Sequence, residues 1–160
     1  MEAVARLADQ ASAVVGEADR PALVAAAWLH DVGDAPSLRR TGLQALDGAL
    51  WIRDQGEERV AALVAYHSGA EWEAELLDLG EDLHAFVDER SPVTDALWYC
   101  DLTTGPEGER ITLAERLSDV ERRHGRDSVI ARAMRTGWDQ LEACIERVES
   151  RLRAGEPVSR

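Results

Sequence analysis

Apolar residues fall at helical spacing along most of the chain, and no alternating apolar–polar run persists beyond a few residues. That periodicity predicts an all-α fold, a compact helical array rather than a regular four-helix bundle. "MEAVARLADQASAVVG" carries apolar residues at i, i+3, i+4 and i+7 before stopping at Gly16. "DRPALVAAAWLHDVG" reads as a helix with Asp19 as N-cap, an early proline and a stop at Gly33. Its alanines let another helix approach closely, and Trp28 and Leu29 read as core. "LQALDGALWIRDQG" and "EERVAALVAYHSG", split by Gly56, suit an αα-hairpin, and "AEWEAELLDLGEDLHAFV" reads as a helix broken near Gly80. Ser91 and Pro92 give a strong helix start, and Thr112 with Glu115 forms a capping box. "TTGPEGER" is a loop by its glycines and proline, and one long helix is expected from about Asp127 to Ala154.

The length of 160 residues suits one domain able to bury a full core, and the 45% apolar content argues against disorder. A net charge of −13 repels nucleic-acid backbones, so a nucleic-acid polymer is not an expected partner. All 18 basic residues are arginine, which excludes P-loop and Schiff-base lysine chemistry. Positive charge for a phosphorylated ligand must then come from arginines or bound metal. No apolar run approaches a bilayer span and no basic-then-apolar leader is visible, so the expectation is a cytoplasmic protein without a membrane partner. Cys100 and Cys144 lack a C-x-x-C spacing, and Cys100 in "LWYCDL" reads as a small core residue. Five tryptophans and the long last helix leave room for a homodimer face.

Chemistry concentrates where apolar helices end. His30 and Asp31 stand side by side at the close of "AAAWLHDVGD", and His67 ends another apolar helix in "VAYHSGA". Asp101 closes a third, in "WYCDLTTG". A buried imidazole or carboxylate needs a partner, so each is either a satisfied core or capping residue or a ligand. Together they offer nitrogen and carboxylate oxygen, a mixture suited to Mn, Fe, Co, Ni or Zn. Arg39 and Arg40 in "PSLRRTG" are either a solvated turn or a phosphate clamp. His84 and His124 lie in charged surroundings and read as surface residues.

In this setting "AAAWLHDVGD" resembles the His-Asp segment of the HD-domain superfamily of metal-dependent phosphohydrolases, which commonly reads L-H-D-[IV]-G after a helix of small apolar residues. "LWYCDLTTG" looks like that family's later aspartate, at Asp101. The stretch over residues 41–69 is similar to a segment of the HD-GYP-like branch, in which a hairpin partner ends in His-His or Tyr-His, with His67 matching the second of those positions. The resemblance covers about residues 1–105, leaving helices over about 112–154 as packing and 155–160 as a frayed tail of an HD-like domain spanning 1–154. The family's first histidine has no counterpart, because no His precedes His30. Either a longer N-terminus carries it or the ligand is lost. Gln44 stands where the related branch has a metal-binding histidine.

What the resemblance implies is one divalent transition metal held by His30, Asp31 and Asp101, with His67 as ligand, phosphate donor or general acid. Asp31 and His67 are then the catalytic residues, Arg39 and Arg40 the substrate-binding ones, and a small phosphorylated molecule, a nucleotide among the candidates, the substrate. Asp34 and Asp47 are candidates for orienting the ligating histidines. The competing expectation is a degenerate HD fold that binds a ligand or partner without catalysis. Di-iron oxidation, which some HD enzymes perform, needs more histidines than are present.

Overall fold

The structure is a computed structural model and describes residues 2–155. Among the described residues there are ten α-helices and no strand pairing beyond an isolated bridge between Thr104 and Arg110 in the expected loop. The helices are α1 (Glu2–Ala11), α2 (Arg20–Leu29), α3 (Gln44–Asp54), α4 (Glu58–Ala65), α5 (Ala70–Leu76), α6 (Gly80–Leu83), α7 (Pro92–Leu102), α8 (Leu113–His124), α9 (Val129–Thr136) and α10 (Trp138–Ala154). The expected frayed end beyond Gly155 lies outside the described residues. Among those residues, no helix is long and apolar enough to cross a membrane.

Local signals place most of the boundaries. Ser91 accepts hydrogen bonds from the amides of Val93 and Thr94, and Thr94 answers the Ser91 amide, so α7 begins on a closed capping box. Thr112 and Glu115 do the same for α8. The helices α3 and α4 form the expected antiparallel hairpin around Gly56, and the chain breaks between α5 and α6 ahead of Gly80. Asp19 is not an N-cap. It sits in a helical conformation without a capping hydrogen bond and spends its carboxylate on Arg59 at 2.8 Å.

Two expectations fail for tertiary reasons. The stretch from Asp127 to Ala154 is two helices, divided at Gly137. A β-carbon on Gly137 would come 2.2 Å from the Trp72 ring, so the indole of α5 is seated against the α9–α10 junction. Trp28 is not core: it is 47% exposed, because α2 buries the stripe Leu23, Ala26 and Ala27 and turns Trp28 outward.

The interior divides into two apolar clusters. The larger joins α1 to α4 with α7, and the smaller gathers Trp72, Leu102, Leu113, Val120, Met134 and Leu141. Cys100 belongs to the larger one, fully buried, and burial pushes its thiol up to about 12. That rules out a thiolate nucleophile at neutral pH.

Candidate functional site

The helices α2, α4 and α7 pack on one another and end at a common point. His30 continues the buried stripe of α2 one i+7 step beyond Leu23, and His67 continues that of α4 from Val60. Asp101 takes the same step from Thr94 in α7, and all three side chains are buried. Helical periodicity thus carries each polar group to the core's edge instead of to solvent. The C-terminal ends of three helices, each with partial negative charge, meet there and favour a cation.

The two imidazoles are held alike. His30 donates from Nδ1 to the carbonyl of Ala27 at 2.8 Å, and His67 from Nδ1 to that of Val64 at 2.6 Å. Each bond satisfies a carbonyl in a last helical turn and leaves Nε2 as the lone-pair nitrogen of the neutral ring. The rings meet edge to face with centroids 5.5 Å apart. His30 Nε2 is 3.0 Å from Asp31 Oδ2 and 3.6 Å from Asp101 Oδ1, yet it is buried and aligned with neither for a hydrogen bond.

Asp101 is the most heavily engaged group. Its Oδ2 accepts from Ser68 Oγ at 2.5 Å and its Oδ1 from Arg116 Nη2 at 2.6 Å. Burial alone would raise its pKa, but Arg116, the two histidines and Ser68 overrule burial and hold it well below the usual carboxylate range. Burial likewise opposes protonation of His30, but the adjoining Asp31 and Asp101 carboxylates prevail and its pKa is raised. His67 goes the other way, lowered by burial and then by His30. Asp31 is lowered because His30 outweighs its own burial. Two adjacent histidines of opposite tendency make this a polarised site.

These residues open into a cleft of about 550 Å³ at the seam between the two apolar clusters, lined by Ala70 and Val4 from one and Leu102, Val120 and Met134 from the other. Its wall also carries Glu73, Arg116, Arg123 and His124. Of the residues expected from sequence, His30, Asp31, His67 and Asp101 come together here. Arg39 and Arg40 do not line the cleft. Both are exposed, Arg39 Nε donating to the Asp34 carbonyl and the Arg40 amide to Asp47. Nor does Asp47 orient a histidine: its carboxylate caps the turn through the amides of Arg40 and Thr41 and the Thr41 hydroxyl. Asp34 lines the cleft mouth and is exposed. Gln44 donates from Nε2 to the His30 carbonyl at 2.7 Å, so it braces the His-Asp turn. That approach needs Gly33, where a β-carbon would fall 2.0 Å from the Gln44 carbonyl oxygen.

The contribution of α8 was missed. Arg116, Val120, Arg123 and His124 share the i, i+4, i+7, i+8 face that its capping box and the buried Leu113 and Val120 define. The helix that reads as packing therefore supplies the basic wall. His124, a surface residue by its neighbours, is exposed but borders the same cleft. His84 is exposed as expected.

A family model described as HD domain matches residues 1–120. The chain belongs to the HD-domain superfamily of metal-dependent phosphohydrolases. The match runs past residue 105 and takes in Arg116. Neither the curated proteins nor the solved structures contain a match to this HD domain.

HD domains generally bind divalent metals, and the fit of such an ion here rests on the chain's own donors. Among the described residues, no three His, Cys, Asp or Glu side chains already form a cage. Both oxygens of Asp101 are committed, to Ser68 and to Arg116. His30 Nε2, a buried lone pair without a hydrogen-bond partner and with carboxylate oxygens 3.0 and 3.6 Å away, is nevertheless the kind of atom a cation satisfies.

Proposed function

We propose that this HD domain is a metal-dependent phosphohydrolase acting on a small phosphorylated molecule, of which a nucleotide is one example. The observation that carries the reading is the unsatisfied Nε2 of His30, buried between Asp31 and Asp101 at the floor of a cleft with a basic wall. One divalent transition metal, held by His30, Asp31 and Asp101 with His67 as a further ligand or phosphate donor, supplies Lewis-acid and water-activating chemistry when bound.

The chain's own residues do the rest. The Ala27 and Val64 carbonyls hold both imidazoles in the tautomer that offers Nε2 to the cleft. Asp31, 43% exposed at its side chain, faces the solvent side, where it can accept a proton from an attacking water. Arg116 and Arg123 line the cleft while Arg39 and Arg40 do not, which supports the first pair as the positive charge for a phosphate. Arg116 also fixes the Asp101 carboxylate from behind.

Purified protein is expected to carry metal after Mn, Co or Ni supplementation and to hydrolyse an aryl phosphate slowly. Asp31→Ala and Asp101→Ala should each abolish both properties. Hydrolysis that survives in both variants removes the reading. A second reading, binding without catalysis, is favoured by the committed oxygens of Asp101 and by Gln44 standing where the related branch has a histidine. It predicts that the folded chain retains no metal at all.

A further inference from the structure

Just past the end of α4, Ser68 holds a left-handed backbone, with φ +49° and ψ +31°. That conformation crowds any residue with a β-carbon and is uncommon outside glycine. Among the described residues, Asp78 and Arg90 are the other non-glycine residues with a positive φ, and both are exposed. Ser68 is half-buried and lines the cleft with its neighbour His67 and with Asp101. A strained backbone persists only where its surroundings over-determine it, and such strain collects at functional sites.

Two tryptophans hold this turn in place. Trp98 of α7 donates from Nε1 to the Tyr66 carbonyl at 2.7 Å. Trp72 of α5 meets Trp98 edge to face, with ring centroids 6.0 Å apart. The Trp72 ring also lies so close to Gly69, itself at φ +90°, that a β-carbon there would come 2.7 Å from it. Between these fixed points the Ser68 hydroxyl donates to Asp101 Oδ2 at 2.5 Å, a length typical of a hydroxyl bonded to a carboxylate.

That bond decides how Asp101 stands. A carboxylate gripped at one oxygen can still turn about its Cβ–Cγ bond, whereas one gripped at both cannot. Arg116 reaches Oδ1 through Nη2, while its Nη1 donates to the Thr104 carbonyl at 3.3 Å. With Oδ2 taken by Ser68, the guanidinium engages one oxygen instead of both. Oδ1 is thereby kept 3.6 Å from His30 Nε2, the buried nitrogen without a hydrogen-bond partner. Rotational freedom removed before an ion arrives need not be lost on binding it.

We propose that Ser68 is a positioning residue, whose hydroxyl holds the Asp101 carboxylate with Oδ1 beside His30 Nε2 so that the two atoms can receive one divalent ion. The inference rests on the metal-dependent reading of the site. The left-handed backbone is the means: it turns the chain sharply after His67 and aims the next side chain at the end of α7. Glycine would fit the backbone better but would leave Asp101 Oδ2 without its donor.

The test separates metal affinity from stability on the full chain. Mn binding is followed by the loss of the free-ion EPR signal, and stability by the urea midpoint without metal, for the wild type, Ser68→Ala, Ser68→Gly and Ser68→Thr. Ser68→Ala and Ser68→Gly both lose the hydroxyl and are expected to weaken Mn binding about 10-fold or more. Of the two, Ser68→Gly should have the higher urea midpoint, since it relieves the left-handed backbone. Ser68→Thr keeps the donor and should bind Mn within about 3-fold of the wild type, although its branched β-carbon lowers the midpoint. A role in folding alone would instead make affinity follow stability. Mn binding by Ser68→Gly within about 3-fold of the wild type, or tighter than it, overturns the role of Ser68 and leaves the metal-dependent reading standing. A wild type that binds none of Mn, Co or Ni overturns that reading and this role with it.

Discussion

Arg116 Nη2 donates to Asp101 Oδ1 at 2.6 Å, tying α8 to the end of α7, and the same oxygen lies 3.6 Å from His30 Nε2. The carboxylate side chain is 8% exposed and the guanidinium 20%, so the pair is largely withdrawn from water. Removing one partner therefore leaves a buried charge behind. Arg116→Ala is expected to lower stability by about 3 kcal/mol in urea denaturation, and Asp101→Asn in the same background should restore part of that loss. A divalent ion would supply the missing positive charge, so Mn should raise the melting temperature of Arg116→Ala more than that of the wild type. Equal shifts in the two proteins would show that Arg116 and the ion do not share Asp101.

Glu73 gives a pH dependence of definite sign. Its carboxyl titrates at about 7 in the folded chain against an ordinary value of 4.5, so the unfolded chain loses this proton first. The folded state is therefore progressively penalised as pH rises from about 4.5 to 7, and the penalty is constant above that. Glu73→Gln should match the wild type in stability near pH 4 and exceed it by up to about 3 kcal/mol at pH 8. Stability curves that stay parallel across this window would place the Glu73 carboxyl in water.

Asp95 behaves oppositely. Arg147 grips both its oxygens at 2.6 and 3.0 Å and Arg151 adds a bond at 3.0 Å, joining α7 to α10. Burial opposes ionisation, but the two arginines prevail and the pKa is lowered. The contribution is complete above the ordinary aspartate value and is lost as pH falls through the folded one. Asp95→Asn is expected to cost about 1–2 kcal/mol at pH 7 and progressively less as the medium becomes strongly acidic, checked by urea midpoints at both ends.

Gly137 carries the packing of the second apolar cluster. A methyl group there would meet three atoms of the Trp72 ring at 2.2 to 2.5 Å, so the indole or the α9–α10 junction must move. Gly137→Ala should cost about 1–3 kcal/mol despite the better helix propensity of alanine. A rise in melting temperature would mean that the two helices merge at this point without loss.

The chain by itself determined what depends on neighbours in sequence. Caps at Ser91 and Thr112, the α3–α4 hairpin and the ends of the apolar stripes are local, because a turn or a first helical turn is closed by residues a few positions apart. For the same reason His30, Asp31, His67 and Asp101 could be singled out: each closes or follows an apolar helix, and the HD pair is a local motif. Which side chains face one another across the cleft was decided only by the packing of helices. The placing of α8 beside the end of α7 brings Arg116 to Asp101, whereas Arg39 and Arg40 lie in water. The seating of Trp72 divides the last helix at Gly137, and the choice of buried face on α2 turns Trp28 outward. Spacing along one helix fixes the relative directions of its own side chains, but contacts between helices depend on how their ridges and small residues fit together, which no single stretch of sequence contains.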